Sequence, residues 1–160
     1  MNGKSVYLDS SAIAKRYLAE DGSETVDALY RRAEDREVKL AFSLWNVGEV
    51  VRAIAKAERL RWISKEQAGA ATWAFLRESL KLRDLGVLRT VPVRGDFLAK
   101  ALTLLLREGI GQADGLQIAT CKGSGASALV SADRRLLEVA RSEGLVALDP
   151  VGDGPRIRSI

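Results

Sequence analysis

Four carboxylates stand where they could act together: Asp9 in SVYLDSSAI, Glu49 in SLWNVGEVV, Asp114 in GIGQADGLQIA and Asp133 in SALVSADRRLL. Asp9 and Asp133 each lie just past a short run of strand-forming residues, while Glu49 and Asp114 sit near the starts of helical patterns. Each acid also has a plain structural reading. Asp9, followed by Ser10 and Ser11, is the residue type that caps a starting helix. Glu49 suits a solvated helix face, and Asp114 and Asp133 suit the positive end of a helix dipole. What separates the two readings is convergence. A pair of like charges about 4 Å apart repels by roughly 4 kcal/mol at an effective dielectric of 20, so four acids gathered at one place need a cation. With carboxylate, hydroxyl and water oxygens as donors, that cation is hard and octahedral, Mg2+ or Mn2+. Its natural chemistry is hydrolysis of a phosphodiester by metal-activated water.

Composition removes the competitors. The chain has no histidine, which excludes Ser-His-Asp and Cys-His nucleophile systems, the HExxH zinc site and imidazole-based ribonuclease chemistry. A single cysteine, Cys121 in LQIATCKG, cannot form an internal disulfide and reads as a small buried hydrophobe in a reducing compartment. Lys and Arg outnumber Asp and Glu by 25 to 21, an excess that permits a polyanionic partner without requiring one. The apolar run Ala101–Leu106 is too short to span a bilayer, and Met1–Leu8 lacks the apolar region of a secretory signal. The expected location is cytoplasmic, with no membrane association.

Positioning those acids falls to alternating strands and helices. Strands are expected at Ser5–Leu8, Val38–Ser43, Val87–Val91, SALVSA and LVALD. Helices are expected over SAIAKRYLAE, over ETVDALYRRAEDRE capped by Ser23, and from about Leu44 to Leu60. Others follow from a capping box at Ser64 and Gln67, over GDFLAKALTLLLREG, over ADGLQIATCKG and over DRRLLEVARSEG. Parallel neighbours need right-handed crossovers, so the pattern implies a mostly parallel sheet of four to five strands covered on both faces. Ligands then bind outside the carboxyl ends of the strands, where Asp9 and Asp133 both lie. At 160 residues the chain fits one domain, residues 1–149, with a loosely ordered tail at 150–160. Gly115, next to Asp114, marks a place where side-chain bulk is unwelcome. Trp45, Trp62 and Trp73 fall in helical apolar patterns and read as core or partner interface before base-stacking platforms.

The segments VYLDSSAIAKRYL, SLWNVGEVVRAI, GQADGLQIATCKG and ALVSADRRLLEVARSEGL, in this order, resemble the PIN-domain family, specifically the VapC-like toxin ribonucleases of toxin-antitoxin pairs. The resemblance implies a three-layer α/β/α sandwich and a Mg2+- or Mn2+-dependent endoribonuclease. It places Asp9 and Asp114 as direct metal ligands, Glu49 as a ligand or positioner of the attacking water, and Asp133 as a ligand through water or to a second ion. Ser131 matches the family's small hydroxyl, and Ser10 is expected to steady Asp9 from behind. Where the family often has alanine and histidine, this chain has Gly115 and Gln117. Arg52 and Lys56, three and seven residues after Glu49, together with Arg16, Arg134 and Arg135, are candidates for phosphates of the RNA. The family further implies a cognate antitoxin protein and a homodimer. The alternative is a catalytically silent PIN-fold module that binds RNA or protein.

Overall fold

Val6, Tyr7 and Leu8 place alternate side chains on opposite faces of a strand, and all three are fully buried. A strand buried on both sides belongs in the middle of a covered parallel sheet, and β1 (Ser5–Leu8) is the centre of this one. In the computed structural model, which describes residues 4–160, the strands are β1, β2 (Lys39–Ser43), β3 (Leu88–Val91), β4 (Ala128–Val130) and β5 (Ala147–Leu148). The sheet order is β3-β2-β1-β4-β5, parallel throughout. Val6 pairs with Leu40 on one side and Ala128 on the other, and Tyr7 with Ala41 and Leu129.

Period-two alternation sends Val6, Leu8, Leu40, Phe42 and Val130 into one apolar layer, and Tyr7, Ala41, Leu129 and Ala147 into the other. The first layer is closed by α1 (Ser10–Ala14), α2 (Ser23–Glu34), α3 (Trp45–Arg59) and α4 (Lys65–Asp84). Across the sheet lie α5 (Gly95–Glu108), α6 (Gln112–Ser124) and α7 (Arg134–Ser142). The result is the α/β/α sandwich that the strand and helix pattern implies.

Local chemistry explains where the helices start. Ser64 and Gln67 form the expected capping box of α4, with Ser64 N–H donating to Gln67 Oε1 and Gln67 N–H to Ser64 Oγ. Gly115 lets α6 approach α5, because a Cβ there would lie 2.9 Å from the Ala101 carbonyl oxygen. Cys121 is buried, and burial pushes its thiol up to about 12, which makes it an inert core residue.

Three expectations are corrected and one is narrowed. The first helix stops at Ala14 and does not run on to Glu20: Lys15 turns inward and its Nζ donates to Glu20 Oε2 and the Asp21 carbonyl, closing a turn. Ser23 does not cap α2. Gly22, at φ +85°, holds that position, while the Ser23 hydroxyl donates to the Leu18 carbonyl and accepts from Glu20 N–H. The tail is not loosely ordered either. Residues Gly154–Arg158 form α8, which packs on α2 and buries Ile157 completely, and Asp153 secures the preceding turn by accepting from Asp149 N–H. Of the tryptophans read as core or partner interface, Trp62 and Trp73 are 70% and 69% exposed, which leaves the partner interface. Among the described residues no helix is long and apolar enough to cross a membrane.

Candidate active site

Strand order reverses at β1, since β2 and β3 lie to one side of it and β4 and β5 to the other. The crevice beyond the carboxyl ends of β1 and β4 is where such a sheet binds ligands, and Asp9 occupies it. Its N–H donates to the Val130 carbonyl, which extends the β1–β4 ladder by one step, and the residue is 5% exposed.

Both readings of Asp9 hold at once. Oδ1 caps α1 by accepting from Ala12 N–H at 3.0 Å and also accepts from the Ser11 hydroxyl at 2.7 Å. Oδ2 accepts from the Ser131 hydroxyl at 3.0 Å. The two serines tie the carboxylate to the loop after β4, because Ser11 Oγ accepts from Ala132 N–H and Ser131 Oγ from Asp133 N–H. These bonds favour the ionised form, yet burial outweighs them and, with a smaller push from the Asp133 charge, raises the Asp9 carboxyl from 3.8 to about 6. Ser11 therefore makes the contact expected of Ser10. Ser10 instead lines a concavity of about 210 Å³ with Ser11, Glu49, Arg52, Ala53 and Lys56. A spacing argument could have found Ser11, because the residue two after a capping Asp is well placed to reach back to its carboxylate.

Asp114 lies in the first turn of α6, half-buried, and among the described residues it accepts no hydrogen bond. Burial raises its carboxyl, and the charges of Asp133 and Glu49 add to the rise. Asp133 thus acts on both Asp9 and Asp114, and Glu49 acts on Asp114. The acids are thus linked pairwise through their charges, Asp9 to Asp133 and Asp114 to both Asp133 and Glu49. They do not close on one another: among the described residues no three acids or thiols stand close enough to hold an ion unaided. Local partners explain this, since Asp133 turns to cap α7 through Leu136 N–H at 2.9 Å and Glu49 pairs with Arg52 at 3.0 Å.

The donor set fits a hard divalent cation. It consists of oxygens, the Asp114 carboxylate accepts no hydrogen bond among the described residues, and Asp9 Oδ2 has a lone pair beyond the one used by Ser131.

The basic candidates separate. Arg52 and Lys56 flank the concavity beside Glu49. Arg134 is exposed at the start of α7, and Arg135 is engaged with Glu138 and the Glu108 carbonyl. Arg16 is not available to phosphate. Its guanidinium is held by Glu78 and Asp27 and lies over the Tyr30 ring. A larger concavity, about 480 Å³, lies beside that pair, lined by Arg16, Tyr17, Ala74, Arg77, Glu78 and Lys81. Internal ion pairing rather than open coordination characterises it, and the sheet edge is the better candidate site.

The sequence pattern of the family described as the PIN domain matches residues 6–142. Three solved structures share the fold. PAE2754 from Pyrobaculum aerophilum is 20% identical with a TM-score of 0.67, the match covering 98% of this chain and 91% of that one. VapC20 from Mycobacterium tuberculosis, a toxin that cleaves the sarcin-ricin loop, is 21% identical with a TM-score of 0.60 over 88% of this chain and 96% of its own. FitAcB from Neisseria gonorrhoeae is 20% identical with a TM-score of 0.58 over 92% and 99%. No curated protein matches the chain by sequence.

Proposed function

The chain belongs to the PIN-domain family, and from that premise we propose that it is a Mg2+- or Mn2+-dependent endoribonuclease, the VapC-like toxin of a toxin-antitoxin pair. The observation that carries this reading is Asp9: a carboxylate buried at the reversal point of the sheet, held by two hydroxyls and raised to about 6, in electrostatic contact with a second acid that also faces a third.

Asp9 and Asp114 would hold the ion, with Glu49 and Asp133 contributing through water or to a second ion. When bound, such an ion acidifies a water and offsets charge on the phosphoryl oxygens. Ser11 and Ser131 fix the Asp9 carboxylate by occupying one lone pair on each of its oxygens, so that it faces the crevice in a single orientation. Glu49 uses Oε2 for Arg52 and keeps Oε1 to accept a hydrogen bond from an attacking water. Arg52 and Lys56, both exposed, draw the RNA backbone toward Glu49 by charge. Arg134, exposed beside Asp133 at the start of α7, has the same role for a flanking phosphate.

A cytoplasmic location, a cognate antitoxin and a homodimer complete the proposal. Support for a protein partner comes from Trp62 and Trp73, whose exposed rings are large apolar groups of the kind that anchor interfaces. The decisive experiment incubates purified protein with total RNA, with Mg2+ or Mn2+ and with chelator, and maps the cut ends. Cleavage that needs the metal and is lost in Asp9→Asn and Asp114→Asn is the expected result. Cuts that persist in chelator would overturn the mechanism, and RNA binding without turnover would favour the silent module.

A further inference from the structure

Beneath the acids, and cut off from water, Tyr7, Asn46 and Gln117 are 0%, 0% and 3% exposed. Their polar groups must therefore be satisfied by one another or by buried backbone, and they form a single continuous chain. Ser43 N–H donates to Tyr7 Oη at 3.2 Å, Tyr7 O–H donates to Gln117 Oε1 at 2.7 Å, Gln117 Nε2 donates to Asn46 Oδ1, and Asn46 Nδ2 donates to the Leu8 carbonyl at 2.8 Å. The direction of every link is dictated by the two ends. A backbone carbonyl can only accept and a backbone N–H can only donate, so each amide has one orientation that satisfies its neighbours.

The members sit at telling places. Leu8 immediately precedes Asp9, Asn46 is three residues before Glu49 in α3, and Gln117 is three residues after Asp114 in α6. Each is one helical turn or one peptide from an acid, on a different element. We propose that Asn46 and Gln117 are positioning residues, joined with Tyr7 into a one-directional hydrogen-bond chain that sets the spacing of the three segments delivering Asp9, Glu49 and Asp114. This inference rests on the nuclease reading above. Its physical basis is that separate elements packed only by apolar contact can slide by fractions of an ångström, whereas buried directional bonds resist it. Acids that are not closed on one another by their own contacts depend on such a frame for their separation.

The test measures Mn2+ affinity by electron paramagnetic resonance of the free ion, and single-turnover RNA cleavage at saturating metal. Gln117→Met keeps the side-chain length and removes both links. It is expected to weaken Mn2+ binding about tenfold and to slow cleavage by a similar factor, while the KM for RNA stays the same because Arg52 and Lys56 are untouched. Tyr7→Phe, which deletes only the hydroxyl at the far end, is expected to weaken Mn2+ binding by about threefold, in the same direction, and serves if Gln117→Met does not fold. Val26→Ala, on the buried face of α2 and away from the hydrogen-bond chain, destabilises the protein but should leave Mn2+ affinity at the wild-type value. Wild-type affinity in Gln117→Met or in a folded Tyr7→Phe, or an equal loss in Val26→Ala, would overturn the positioning role. A wild-type protein that neither binds Mn2+ nor cleaves RNA would overturn the nuclease reading itself, and the positioning role with it.

Discussion

Replacing Asp9 by Asn should stabilise the protein and silence it in one step. The folded-state carboxyl sits at about 6, against an ordinary value of 3.8, because burial outweighs the donors Ala12 N–H, Ser11 and Ser131. The folded state therefore holds the Asp9 proton more tightly than the unfolded chain. Stability from this group is fully present below about pH 4, where both states are protonated, and is lost as pH rises through about 6. Displacement from 3.8 to about 6 is worth roughly 3 kcal/mol, at about 1.4 kcal/mol per pH unit. Asn keeps the shape and most of the bonds: its carbonyl can accept from Ala12 N–H and Ser11, and its amide can donate to Ser131 Oγ, whose hydroxyl must then turn away. Allowing for that turn, Asp9→Asn should gain about 1 to 3 kcal/mol at pH 7.5 in chelator. Urea denaturation from pH 4 to pH 8 checks this, and the difference should shrink toward zero at the acid end. Added Mg2+ should stabilise the wild type, by about 2.7 kcal/mol at a hundred times its Kd, and leave the variant unmoved. A variant less stable than wild type at pH 7.5, or an advantage that does not depend on pH, would refute the claim that burial of this charge dominates.

Asp114→Asn should abolish cleavage at little cost in stability, because the carboxylate accepts no hydrogen bond among the described residues and burial already disfavours its charge; cleavage assays and thermal denaturation read both. Gly115→Ala should destabilise by about 1 to 3 kcal/mol, since its Cβ would press on the Ala101 backbone at 2.9 and 3.1 Å and push α6 from α5, and the displaced Asp114 should also slow cleavage. Arg52→Ala and Lys56→Ala should raise the KM for RNA and each reduce the salt dependence of binding by about one phosphate's worth, measured by titration at several salt concentrations. Ile157→Ala should lower stability by about 2 to 5 kcal/mol in urea, because α8 is part of the packed structure.

The helix starts and the central strands were legible in the sequence because their causes are local. Ser64 and Gln67 satisfy each other's backbone within one turn, and Val6, Tyr7 and Leu8 lack polar atoms that would want water on either face apart from one hydroxyl. The tail was misread because its order depends on a partner distant in sequence: Ile157 is buried only because α2 presents an apolar face to it. For Trp62 and Trp73 the sequence left core and partner interface open, and their exposure removes the core, since periodicity marks a stripe and not whether anything covers it. The choice of Ser11 over Ser10 turned on which hydroxyl faces Asp9 once α1 has turned, and Arg16 was lost to RNA because Glu78, sixty-two positions away, folds against it.

What the sequence determined by itself was the chemistry on offer: without histidine and with a single cysteine, catalysis in this chain must rest on carboxylates, hydroxyls, amines, guanidinium groups or a metal held by oxygen, and Asp9, Glu49, Asp114 and Asp133 are the acids that its pattern sets at strand ends and helix starts. Tertiary structure decided how those acids stand. Asp9 is buried, and burial makes its charge costly despite the hydrogen bonds from Ala12 N–H, Ser11 and Ser131, while Glu49 and Asp133 turn to Arg52 and to the start of α7. Separation, desolvation and orientation of charges are properties of packed elements, and no pattern along a single chain contains them until that chain has folded.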